Sequence, residues 1–239
     1  MRTVSLLIAA CAVAQAADEG LPALLKDSGA RGGLSLPLQI LLLMTALTVL
    51  PAVFVTLTPF LRITVVLHFL RQALGTQTAP SNQVMIGLAL FLTILLIQPV
   101  LKECYEAGWA PLEQNKISRQ QAWEAGSKPL RLFLLRYAQE KDIALMLSLT
   151  KSPPPRRPED LHLDVLAPAY VLSELKVSFQ IGAVLFLPFL IIDIVVASIT
   201  LSIGMVQLPP VMVSAPFKIL LFVLVDGWNL VVGSLMRSF

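Results

Sequence analysis

Apolar residues in this chain come in long unbroken runs, not in the short alternations of a half-buried strand. Four runs approach or exceed the roughly 20 residues that a helix needs to cross hydrocarbon. They lie at residues 34–60, 84–101, 177–203 and 211–235. Pro51 sits deep in the first and Pro188 in the third, and each predicts a kink or break. Residues 204–210 are all that separate the last two runs, so these predict a tight helical hairpin. The stretch between the first two, LRITVVLHFLRQALGTQTAPSNQ, carries Arg62, His68 and Arg71 and no acid, and reads as a connecting loop.

Polar positions concentrate in residues 103–176. Ser118 followed by Gln121 fits a capping box at a helix start. The apolar spacing over 128–149 is that of an amphipathic helix. Pro153, Pro154, Pro155 and Pro158, with Arg156 and Arg157, make a stiff basic linker. At the start of the chain, Arg2 precedes a short apolar run, and Ala14-Gln15-Ala16 has the small-x-small form of a signal-peptidase site. The competing lipoprotein reading, with cleavage before Cys11, rests on a much shorter apolar run.

The expected architecture is therefore all-α and of the polytopic membrane type, with helical hairpins and proline-broken helices. Residues 1–16 form a cleaved signal peptide and 17–33 an exported N-terminal segment. Residues 34–101 form a first apolar hairpin, 102–176 a small helical extracytoplasmic portion, and 177–236 a second apolar hairpin. An exported N-terminus puts loop 61–83 in the cytoplasm, and its arginines agree with the positive-inside bias. The bases in 103–176 pull the other way, though long loops translocate largely regardless of charge.

Composition supports this reading. The chain of 239 residues is 56% hydrophobic and only 14% charged, with a mean hydropathy of +0.77, where a soluble domain has about 25% charged residues. A net charge of +3 with no basic patch interleaved with aromatics gives no reason to expect nucleic acid. Motifs for hydrolases, zinc proteases, nucleotide loops and dinucleotide folds are missing, so neither an enzyme nor a cofactor nor a metal is expected.

Three ionisable residues fall inside the apolar runs: Asp193, Lys218 and Asp226. Charges at such depth are costly and point to function or to pairing. On continuous helices, Asp193 shares a face with Ser178, Gly182 and Thr200, and Lys218 with Asp226, Asn229, Gly233 and Arg237. Lys218 would pair with Asp193 across the hairpin, or with Asp193 or Asp226 of a neighbouring copy. Alternative readings are a proton or ion relay in a small-solute transporter, and an aspartyl-type hydrolase. The second lacks the Gly-x-Gly-Asp element, and Lys218 would keep a carboxylate ionised.

Four stretches in order, TQTAPSNQVMIGLALFLT (76–93), LAPAYVLSELKVSFQIG (166–182), FLPFLIIDIVVASI (186–199) and APFKILLFVLVDGWNLVVGSL (215–235), resemble the FliP family. These are subunits of the flagellar type III export gate, with relatives in injectisomes. The resemblance implies a structural, pore-forming role in passing unfolded export substrates across the bacterial inner membrane. It implies about five copies assembled with FliQ-like and FliR-like subunits and working with FlhA-like and FlhB-like components in the flagellar basal body, with a periplasmic-side portion. It also implies that the turn between the last two helices, here Met205, Val206, Gln207 and Leu208, lines the constriction. Family members carry consecutive methionines there. This chain keeps one, and Gln207 places a polar group in an otherwise apolar seal.

Overall fold

The computed structural model describes residues 36–76, 78–150, 157–204 and 209–239. The signal-peptide, N-terminal and 205–208 expectations lie outside them, as does most of the proline linker. The described residues are helical and contain no strand. In order they are α1 (Leu36–Thr56), α2 (Phe60–Ala73), α3 (Asn82–Cys104), a π-helical turn (Tyr105–Trp109), the short α4 (Ala110–Glu113), α5 (Arg119–Tyr137) and α6 (Glu140–Thr150). A 3-10 turn (Pro158–Asp160), α7 (Leu163–Ser202), α8 (Pro210–Leu224) and α9 (Gly227–Arg237) follow. Contacts divide the chain after Ala52 into two units.

In the first unit, α1 exposes Leu41, Leu42, Leu47 and Leu50. Its threonine hydroxyls are satisfied within the helix, Thr45 donating to the Leu41 carbonyl at 2.8 Å. A helix that answers its own polar groups is one that can face lipid. Among the described residues three helices, α1 among them, are long and apolar enough to cross a membrane, and α8 with α9 would make a fourth span if the bent pair counts as one.

The second unit is built on α2. The stretch read as a loop is a helix, and it is the most buried one. Ile63, Val66, Leu67, Leu70 and Ala73 recur at three- and four-residue spacing and are at most 1% exposed. Ile63, Val66 and Leu67 pack on Met85, Ala89 and Leu92 of α3 and on Leu235 of α9. Leu70 and Ala73 pack with Phe189 of α7 and Phe222 of α8. A third cluster joins Ile97 of α3, Phe133 and Leu134 of α5, and Leu166 and Tyr170 of α7. The three basic residues obscured this apolar stripe.

Proline does not break these helices. α1 runs through Pro51, and α7 runs through Pro168 and Pro188 for 40 residues. Each proline deletes one backbone hydrogen bond, and in apolar surroundings no water competes for the bonds that remain. At 1.5 Å per residue α7 is about 60 Å long, twice the hydrocarbon thickness of about 30 Å. One helix thus carries the chain from the polar portion into the apolar hairpin.

The break comes instead at Asp226, where no proline stands. Asp226 is left-handed, with φ of +52°, and α8 and α9 meet at 67°. Aspartate tolerates this conformation better than a branched residue. The continuous face joining Lys218 to Asp226, Asn229, Gly233 and Arg237 is therefore cut in two.

The polar portion also departs in one place. The capping box is present, Gln121 N–H donating to Ser118 Oγ at 3.3 Å and Ser118 N–H to Gln121 Oε1 at 3.0 Å. The amphipathic stretch 128–149, however, splits into α5 and α6 around Ala138 and Gln139, where the Gln139 N–H donates to Ser173 Oγ of α7 at 2.8 Å.

Candidate functional site: buried ion pairs and the hairpin tip

The hairpin tip is prepared by its flanks. α7 ends at Ser202, and Gly204 takes φ of +81°, a conformation that favours glycine. Its N–H donates to the Leu201 carbonyl at 3.0 Å. On the far side Pro210 opens α8, where its missing N–H costs nothing. Residues 205–208 thus lie between a helix stop and a helix start.

Below the tip, α7 and α8 are tied by charge. Lys218 Nζ lies 2.6 Å from Asp193 Oδ2, the two side chains being 4% and 28% exposed. Ser214, one turn before Lys218, donates its hydroxyl to Asp193 Oδ1. Both carboxylate oxygens thus accept from α8. Burying an ion pair is tolerable only when the remaining polar atoms are also answered, and Ser214 answers them. Asp226 is not part of this pair. It sits at the start of α9 and accepts from Asn229 Nδ2 at 3.1 Å.

A second ion pair lies deeper and was not anticipated. Arg62 of α2 and Glu174 of α7 are 112 residues apart in sequence and almost fully buried. Nε donates to Oε2 at 2.7 Å and an Nη to Oε1 at 2.5 Å, a two-pronged contact. Arg62 also donates to the Ser238 carbonyl and hydroxyl, each at 3.0 Å, and its guanidinium lies 3.9 Å over the Phe239 ring. Tyr137 of α5 donates its hydroxyl to the Phe239 carbonyl. One guanidinium therefore joins α2, α7 and the segment after α9. Glu174 inside a largely apolar helix was the available signal, but nothing in sequence names a partner so far away.

A third pair clamps the polar portion. Asp142 of α6 accepts from Ser173 Oγ at 2.7 Å and from Lys176 Nζ, both on α7. Burial alone would push this carboxyl up, but the hydrogen bonds from Lys176 and Ser173 outweigh it and hold it below the usual aspartate range. Among the described residues no group of three or more His, Cys, Asp or Glu is placed to hold a metal ion.

A family model described as "FliP family" matches residues 43–235. The chain belongs to the FliP family. Among curated relatives, the flagellar biosynthetic protein FliP of Pectobacterium carotovorum subsp. carotovorum is 49% identical over 221 residues, covering 92% of this chain and 86% of the relative. The FliP of Bacillus subtilis (strain 168) is 48% identical over 201 residues, 84% and 91% of the two chains. That of Caulobacter vibrioides is 45% identical over 238 residues, covering 99% and 90%. This FliP-family chain is a membrane component of the flagellar type III export apparatus, and its family is not an enzyme family.

Proposed function

We propose that this FliP-family chain is a pore-forming subunit of the export gate, and that residues 205–208 form the apolar tip narrowing its pore. The observation that carries this reading is the Ser214–Asp193–Lys218 lock. It sits roughly two to three helical turns from residues 205–208 along both arms, where it fixes the register of α7 against α8. Asp193 and Lys218 are committed to each other, an arrangement suited to holding helices and ill suited to cycling an ion. In this reading the protein works in the bacterial inner membrane at the flagellar basal body, in about five copies. FliQ-like and FliR-like subunits complete the gate, FlhA-like and FlhB-like components feed it, and unfolded protein passes through. Its helical segment between the two apolar hairpins lies on the periplasmic side.

The apolar exposure fits assembly. Ile191, Val195, Ile199, Val213 and Phe217 line an open cavity of about 550 Å³ along α7 and α8, and large apolar faces of this kind mark lipid or protein contacts. The test is co-expression with the two small membrane subunits, followed by purification in mild detergent and native mass measurement. A multi-copy mixed complex is expected, and a well-behaved monomer would overturn the reading.

A further inference from the structure

We propose that His68 and Arg71 of α2 form a pH-sensitive latch that holds the connection between α2 and α3 against the start of α8. The two side chains stand one turn apart, and one Nη of Arg71 lies 3.2 Å from His68 Nδ1. A guanidinium carries donors only. His68 Nδ1 therefore accepts, which makes the imidazole neutral with its proton on Nε2. The other Nη of Arg71 donates to Asn82 Oδ1 at 2.5 Å and to the Pro80 carbonyl at 3.4 Å. Asn82 opens α3, so one guanidinium ties the end of α2 to the start of α3, and His68 fixes its second edge.

The chain leaves α2 through a turn at Leu74–Thr76. Gly75 has φ of +74°, and the Thr76 hydroxyl donates to the Arg71 carbonyl at 3.3 Å. A Cβ on Gly75 would lie 3.6 Å from Ala215 Cβ and 3.9 Å from Val211 Cγ1, so this turn rests on the first turns of α8. A proton on Nδ1 would set two N–H groups against each other and bring an imidazolium beside a guanidinium. No acid is placed to take the second charge. Residues 74–101 carry no titratable side chain, and among the described residues no carboxylate makes an ion pair with His68. On the other helices packed around α2, Glu174 is taken by Arg62 and Asp193 by Lys218, Asp226 accepts from Asn229, and Arg237 donates back to the Gly233 carbonyl. The neutral imidazole therefore favours the closed latch and the protonated one favours its release, so acid loosens it within the range of about pH 5–8 where imidazoles change charge. The latch stands apart from the reading of residues 205–208 as a pore tip.

The full chain, purified in mild detergent, is compared by hydrogen–deuterium exchange at about pH 8 and about pH 5.5, either end of that range, with rates corrected for the intrinsic pH dependence of amide exchange. The Leu74 and Gly75 amides, which donate to the Leu70 and Gln72 carbonyls, report the turn. Residues 86–96 of α3 serve as the reference. Acid is expected to speed exchange in the turn about threefold, the loss of one modest hydrogen bond, and to leave the reference unchanged. His68→Gln keeps an acceptor for Arg71 and cannot take a proton, so its turn should stay protected at both pH values. His68→Lys sets a permanent cation beside Arg71, and its turn should exchange fast at both. The latch would be overturned by a turn unmoved by acid, by an acid response that persists in His68→Gln or spreads equally to the reference, or by a His68→Lys turn as protected as the original at the higher pH.

Discussion

At the scale of single residues, three carboxylates, Glu174 and Asp142 buried and Asp193 partly buried, are each held by a cation and a hydroxyl or a second N–H. Lys218→Ala leaves the partly buried Asp193 with only Ser214. Removing one partner of a buried pair costs about 3–5 kcal/mol, so we expect a clear fall in the yield of assembled complex. Asp193→Asn together with Lys218→Met should recover part of that loss, since replacing both charges removes the penalty. Normal assembly of Lys218→Ala alone would refute the lock. The Arg62–Glu174 pair should be less forgiving. Arg62→Lys keeps the charge but not the fork geometry that meets both Glu174 oxygens and Ser238. It is expected to lower the midpoint of thermal unfolding in detergent, and an unchanged midpoint would show that the fork is dispensable. Asp193, Lys218 and Asp226 were visible in the sequence as charges out of place. Within one chain Lys218 meets Asp193 across the hairpin, one of the partners the sequence offered, whereas Arg62 and Glu174 could not be joined without the fold.

At the scale of elements, two close approaches and one clamp decide how helices meet. A Cβ on Gly108 would lie 2.6 Å from the Ala122 carbonyl oxygen and 2.7 Å from the Gly126 Cα, both backbone. A Cβ on Gly182 would meet the Phe69 ring at 2.4 Å, a side chain and not backbone. Gly108→Ala should therefore cost more than Gly182→Ala, in the range of about 1–3 kcal/mol for overpacking, read as relative thermal stability of the two variants. Equal stability would contradict the tight crossing of the π-helical turn and α5. The Asp142 clamp has a pH signature. Its folded pKa is held below the unfolded value, so the stability it contributes is present above the ordinary aspartate range. That stability is lost as pH falls through the lower folded value. Acid should loosen α6 from α7, seen as faster hydrogen exchange in α6, and Asp142→Asn should remove that dependence. The helix at α2 was illegible because its three basic residues masked an apolar stripe at helical spacing. The break at Asp226 did have a signal, the Asp226-Gly227 pair, a common turn dipeptide. It was outweighed by the apolar run around it.

At the scale of the whole molecule, long apolar helices leave much greasy surface open. The all-α class, the four apolar runs and the FliP-family resemblance were readable from sequence, because run length and local motifs carry them. The packing of α2 against α7, and the passage of one helix from the polar portion into the hairpin, depend on contacts between distant residues and so were not. The proposed closure of an export pore by residues 205–208 is tested most directly by the electrical conductance of the assembled gate in a planar bilayer. Replacing Met205, Val206, Gln207 and Leu208 with glycine should leave assembly intact and raise the resting ion conductance well above that of the unaltered gate. An assembled glycine variant that stays as ion-tight as the original would contradict the account.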